Sequence, residues 1–325
     1  MFKILGKKIE SGTKFFGSFK IGETIDGKPL ESPIIVIVGE HSGPIVFSSG
    51  AVHGNEIIGP LIIRKVMNEL SPDLLQGTFI ATPIVNTPCF STRSRIDPSE
   101  LPSFIQDLNR VFPGKIDGTF TQRIAYKLLN DVISKAQYCI DIHSSGLGGL
   151  WPPYAHILPE NDFPNPEVYK KTLKMAEASG MTFIVKNYPL DGSLICSAIK
   201  QNIPAIITEL GPVMKVEKKT LELGAIGVMN ILKMLGMLTG DIQKPKKQIT
   251  ITKLIPLNAN KSGFLEKRVN VGDEISCGDV LAEVSDWKGN VVETIRAPVD
   301  SYILRLADFG TVRTGDRFVN LGIPE

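Results

Sequence analysis

The stretch Ile45-Val46-Phe47-Ser48-Ser49-Gly50-Ala51-Val52-His53-Gly54-Asn55-Glu56 decides how the chain is read. Its apolar start suits a buried strand, and the residues that follow, Ile57, Ile58, Leu61, Ile62 and Val66, recur at helical spacing. His53 and Glu56 therefore fall on a strand-to-helix turn, at the C-terminal end of a strand. Open α/β sheets build their sites at that edge. Far downstream, Asp141-Ile142-His143 ends a second apolar run that starts at Tyr138. A strand there, beside the first, brings its histidine to the same edge. Two imidazoles and one carboxylate are good zinc ligands and leave a fourth position open for water. Asp141 lies two residues before His143, so both share one face of the strand. It either orients the ligand imidazole or serves as a buried structural carboxylate bonded to backbone.

Outward from this core, apolar strands alternate with amphipathic helices from Pro44 to about Gly240. Strands are predicted at 45–49, 78–85, 138–142, 182–185 and 205–209, and helices near 60–70, 120–135, 166–179 and 215–238. Pro60 suits the first turn of its helix, where its missing N–H costs little. The alternation predicts a mixed α/β sheet with helices on both faces. Residues 1–43 read as a β segment packed on this catalytic unit of 44–240. A polar linker, 241–247, leads to a change of composition. From 248 to 325 short β patterns are punctuated by Gly272-Asp273, Gly278-Asp279, Lys288-Gly289-Asn290 and Gly315-Asp316, with no helical period, so an all-β module is expected there.

Composition narrows the function classes. A net charge of +2 gives no footprint for nucleic acid, and 42% hydrophobic residues suit a packed globular protein. Cys89, Cys139, Cys196 and Cys277 are scattered without a CxxC pair, which fits a reducing compartment. Cys139 reads as a small core residue. The N-terminus lacks a long apolar signal region, and the most apolar segment, 225–238, is broken by Asn230, Lys233 and Gly236. A cytoplasmic protein with no membrane partner is expected, compatible with a homo-oligomer.

The chain resembles the succinylglutamate desuccinylase/aspartoacylase family of the zinc carboxypeptidase-like clan. The matching pieces occur in the family's order: His53-Gly54-Asn55-Glu56, Asn86 through Arg93-Ser94-Arg95, Asp107-Leu108-Asn109-Arg110-Val111-Phe112-Pro113-Gly114, Asp141-Ile142-His143, and Ile203-Pro204-Ala205 into Thr208-Glu209-Leu210-Gly211. The resemblance implies a zinc carboxypeptidase-like fold and hydrolysis of the linear amide of an N-acylated amino acid, with one zinc per chain on His53, Glu56 and His143. Glu209 ends the apolar run Ala205-Ile206-Ile207, where an acid is out of place unless it faces the site. A solvent-exposed strand end is the alternative. The resemblance makes Glu209 the general base and Arg95 the oxyanion partner. It gives Asn109 and Arg110 to the substrate carboxylate; Arg93, counted with them as substrate-binding, lies close enough to Arg95 to be its rival for the oxyanion. Asp107 is expected to brace its loop.

Weaker signals surround these. Ser193, after Asp191-Gly192, reads as a helix cap in what the family uses as a substrate loop. His156 reads as part of a surface loop, with a place in the pocket lining as the alternative, and His41 as a turn residue. The C-terminal module is similar in layout to biotinyl/lipoyl carrier domains, whose modified lysine would match Lys288, although Lys288-Gly289-Asn290 is also a good plain turn. The expected function is therefore a zinc-dependent amidohydrolase using activated water and a glutamate base. The rivals are a metallocarboxypeptidase acting on short peptides and a non-catalytic binding or carrier protein that uses the β module.

Overall fold

Alternating burial along the strands sets the architecture. The computed structural model describes residues 1–100, 106–146, 148–186 and 188–325. β1 (Phe2–Ile4) and β2 (Lys7–Ile9) make a small antiparallel pair, followed by β3 (Thr13–Glu23), β4 (Pro29–Val38) and β5 (His41–Gly50). Then come α1 (Ile58–Glu69), β6 (Gln76–Thr82), α2 (Thr87–Thr92), α3 (Phe120–Lys127), β7 (Tyr138–His143), β8 (Gly149–Leu150), β9 (Tyr154–His156), α4 (Pro166–Ala178), β10 (Phe183–Val185), α5 (Leu194–Lys200), β11 (Ala205–Glu209) and α6 (Lys218–Met234). The C-terminal strands are β12 (Ile249–Asn258), β13 (Gly263–Lys267), β14 (Glu274–Ile275), β15 (Val280–Ser285), β16 (Val291–Arg296), β17 (Ser301–Ala307), β18 (Thr311–Val312) and β19 (Arg317–Pro324).

Among the described residues a 13-stranded mixed sheet runs β14-β17-β19-β12-β10-β9-β11-β7-β5-β6-β4-β3, with β8 added against β17. β11, β7, β5 and β6 are parallel, which carries their C-terminal ends to one edge. In β4, Ile34, Val36 and Val38 face one core with α3 and α5, while Ile35 and Ile37 face the other with α1, α4 and α6. In β7, Cys139 points to the first core and Ile140 and Ile142 to the second. This two-sided burial explains why the strands read as unbroken apolar runs, and it confirms the mixed sheet with helices on both faces.

The C-terminal strands do two things. β12, β19, β17 and β14 extend the large sheet, while β16-β15-β13-β18 form a separate four-stranded antiparallel sheet. Leu281, Val284, Ile303, Phe318 and Leu321 fill the core between them. Lys288 lies between β15 and β16, in a turn closed by Asp286, whose Oδ1 accepts from the backbone N–H of Lys288 and of Asn290. The short α2 is absent from the periodicity reading. It is set by Asn86, whose side chain accepts from Cys89 N–H, and by Pro88 in its first turn. No helix among the described residues is long and apolar enough to cross a membrane.

Candidate metal centre and active site

Register brings the site together. Glu209 on β11 pairs with His143 on β7, and Asp141 pairs with Ser49 on β5, so these side chains rise at one sheet edge. His53 and Glu56 follow β5 in a tight connection. Gly54 is required there: a Cβ would lie 1.9 Å from the carbonyl carbon of Cys89, so any side chain would push α2 away. Ala51 adopts the left-handed region at φ 49°, turning the chain out of the strand.

His53, Glu56 and His143 are each 2% exposed, and one ligand atom from each lies within 4.8 Å of the others, so the group could hold a metal ion. Glu56 sits between the imidazoles, with Oε1 2.8 Å from His53 Nδ1 and Oε2 2.7 Å from His143 Nδ1. Ser144 N–H donates to Oε2 at 3.1 Å. The far nitrogens are anchored in turn. His53 Nε2–H donates to Asp107 Oδ1 at 2.9 Å, and His143 Nε2–H donates to Asp141 Oδ2 at 2.8 Å. Ser49 Oγ–H donates to the other Asp141 oxygen at 2.7 Å. Both Nδ1 atoms are thereby turned to one point. A carboxylate behind each imidazole is the arrangement that orients metal-bound histidines.

Charge follows the geometry. Burial works to raise the Glu56 carboxyl, but His53 and His143 beside it overrule burial and hold it well below the usual carboxylate range. Asp107 behaves alike: burial raises it, and His53 and Arg95 bring it down further. For His143, burial favours the neutral ring, and the nearby Asp141 and Glu56 carboxylates reverse this and push its pKa up. Glu209 differs. Its Oε2 is buried without a hydrogen-bond partner, and burial pushes its carboxyl up to about 8.

The arginines separate. Arg95 clasps Asp107 Oδ2 through Nε at 3.0 Å and Nη2 at 2.8 Å, leaving Nη1 3.5 Å from Glu56 Oε1. Arg93 is the left-handed C-cap of α2, at φ 53°, and its side chain is exposed. Among the described residues, none of the hydrogen bonds that gather the site residues involves it. Asn109 is buried, accepts Leu194 N–H on Oδ1 at 2.8 Å, and places Nδ2 3.4 Å from His143 Nε2. Arg110 Nη1 donates to the Asn109 carbonyl at 2.7 Å. Ser193 caps α5, accepting from Cys196 N–H. Asp107 braces its loop by accepting Asn109 N–H, and it reaches His53 as well, a contact across 54 residues that no local pattern displays.

Glu209 and Arg110 open on a cavity of about 950 Å³, also lined by Trp151, Tyr154, His156 and Tyr188. His156 corrects the sequence reading. It is not on a surface loop but 4% exposed on β9, a strand too short to show a period. Its Nε2–H donates to the Tyr188 carbonyl at 2.9 Å. Burial pushes its pKa down to about 4. Between pH 6.5 and about 4 the unfolded chain therefore takes a proton that the folded chain refuses. Stability should fall as pH drops through that window, by about 3 kcal/mol in all. His156→Gln keeps a donor and does not titrate. Denaturant melts from pH 7 to 4.5 should show the variant losing less stability than the parent. Parallel curves would place the acid sensitivity elsewhere.

Three comparisons bear on this geometry. The succinylglutamate desuccinylase/aspartoacylase catalytic domain matches residues 42–235. An N-alpha-acetyl-L-2,4-diaminobutyric acid deacetylase from Halomonas elongata is 28% identical over 294 residues, covering 87% of this chain and 83% of the relative. Among solved structures, the product-bound ectoine utilization protein EutE (DoeB) from Ruegeria pomeroyi superposes with a TM-score of 0.83 at 23% identity, over 95% of both chains. A succinylglutamate desuccinylase/aspartoacylase from Rhodobacter sphaeroides also gives 0.83, at 24% identity, over 98% of this chain and 99% of the other. At these identities the two structures establish a shared fold.

Proposed function

The chain belongs to the succinylglutamate desuccinylase/aspartoacylase family, and from that premise we propose that it is a zinc-dependent amidohydrolase that removes the acyl group from an N-acylated amino acid. The observation that carries the proposal is the convergence of His53 Nδ1, Glu56 and His143 Nδ1 beside the partnerless buried oxygen of Glu209. The donor set suits zinc: two imidazoles and a carboxylate, with a position left for water or substrate. Zinc, when bound, supplies a Lewis acid that brings the pKa of a water from near 16 to about 7.

The protein's own groups do the rest. His53, Glu56 and His143 hold the ion, and Asp107 and Asp141 fix the two rings. Glu209 takes a proton from the attacking water as its oxygen bonds to the acyl carbon. It returns that proton to the amine nitrogen as the carbon–nitrogen bond breaks. Arg95, pinned by Asp107, offers Nη1 to the oxygen that gains negative charge. Asn109 and Arg110 hold the substrate carboxylate, where a guanidinium fork gives two parallel bonds. Arg93, exposed at the end of α2, remains a second candidate for that carboxylate. The products are a carboxylic acid and a free amino acid.

A panel of acetyl, succinyl and longer acyl derivatives of several amino acids, run beside short peptides on the zinc-loaded protein, tests this reading. Turnover of acyl amino acids with none of the peptides is the expected result. Cleavage of peptides alone would assign a carboxypeptidase instead.

A further inference from the structure

Tyr154 is a buried tyrosine whose hydroxyl nothing in the fold uses. It is 7% exposed, and its ring lies in an apolar cluster with Phe183, Val185, Ile251 and Leu304, the Trp151 ring standing 5.5 Å away. Pro152 and Pro153 lead into it, and their fixed φ leaves the approach to β9 little freedom. Buried tyrosine hydroxyls ordinarily find a hydrogen-bond partner. Among the described residues this one has none, and Tyr154 lines the cavity above Glu209. Its partner is therefore solvent or ligand, and its place in the sheet favours ligand.

The register says which part of the ligand. β11 lies between β7 and β9, and Glu209 pairs with His143 on one side and with Tyr154 on the other. Directly paired residues share a sheet face, with Cβ atoms about 5 Å apart. The order across the edge is thus metal ligand, acid, phenol. The acyl oxygen belongs on the metal side, where Arg95 reaches Glu56. The amino-acid half belongs on the other. Arg110, assigned to its carboxylate, lines the cavity, and its charge bears on His156, two residues along β9 from Tyr154 and on the same face. The amide nitrogen joins the two halves, so it comes to rest between Glu209 and Tyr154. Glu209 Oε2 is itself without a partner. Two unpartnered groups side by side on one face ask for an atom that gives a hydrogen to one and takes a proton from the other.

We infer that Tyr154 reads the scissile amide itself: its hydroxyl oxygen accepts the substrate N–H, which turns the nitrogen lone pair toward Glu209. The inference rests on the deacylase reading and adds to it a contact with the reacting group. The water oxygen bonds to the acyl carbon, and its proton passes to Glu209. Glu209 gives that proton to the nitrogen lone pair, and the carbon–nitrogen bond breaks with its electrons going to nitrogen. Tyr154 keeps its own proton throughout. Burial and the Glu209 charge push its pKa up, so the phenol does not compete as a base. A class of substrate follows. The amide must carry a hydrogen, so acylated primary amino acids qualify, while esters and N-alkylated amides lose the contact.

The test compares two substrates on the zinc-loaded full chain: the N-acyl amino acid of the panel above that turns over fastest, and the ester in which oxygen replaces its N–H. Tyr154→Phe removes only the hydroxyl and no hydrogen bond within the described residues, so its melting temperature should match the parent's. Its kcat/KM should fall about tenfold on the amide and little on the ester, the size of one buried neutral hydrogen bond. A hydroxyl that merely shaped the pocket would lower both alike, so equal losses, or none, overturn the inference. The parent alone gives a second reading. A phosphonamidate of the same amino acid, which carries the N–H, should bind about tenfold tighter than the matching phosphonate ester. Equal dissociation constants overturn the inference whether or not Tyr154→Phe folds. A parent inactive on the whole panel sinks the deacylase reading and this inference with it; an active parent with an unmoved amide-to-ester ratio in Tyr154→Phe sinks this inference alone.

Discussion

Glu209→Gln should keep its metal and its fold and lose turnover by roughly 10²–10⁴-fold, the range a positioned acid–base group contributes. The glutamine amide fills the same space beside His143 on the neighbouring strand, so packing changes little. What disappears is the ability to accept a proton. The parent carboxyl sits in surroundings that push it up to about 8, with one buried oxygen that no protein donor satisfies. A side chain kept in that condition at a strand end is a candidate for chemistry. The measurement pairs metal analysis with kcat. Metal retained and kcat collapsed is the expected pair; unchanged kcat would remove Glu209 from the reaction.

Glu56→Ala should have the second large effect, on metal and stability together. Glu56 lies between two buried rings whose centroids are 5.0 Å apart, and it touches both Nδ1 atoms. Without it the rings face each other with no carboxylate between them. Breaking a buried charge set in this way costs about 3–5 kcal/mol. The variant should hold less than about a tenth of the parent's metal, show no turnover, and melt at a lower temperature, since a ligand that binds only the folded state stabilises it by mass action. Parent-like metal content in Glu56→Ala would show that the ion is held elsewhere.

Much of this arrangement is legible in the sequence for a physical reason. Strands buried on both faces must be apolar throughout, so the interruptions at Asp141, His143 and Glu209 stand out. The order of strands and helices then places those interruptions at one edge. Contacts made across the fold are less legible. Asp107 meeting His53, Arg95 rather than Arg93 turning inward, and β9 carrying His156 inside all depend on where distant segments pack.

The central claim is that three side chains hold one cation beside Glu209. Crystals of the protein loaded with zinc, measured on both sides of the zinc absorption edge, test it most directly. A single anomalous peak within about 2.0–2.2 Å of His53 Nδ1, His143 Nδ1 and a Glu56 oxygen is the expected result. A peak bound by other residues, or none at this position in a fully loaded protein, would contradict it.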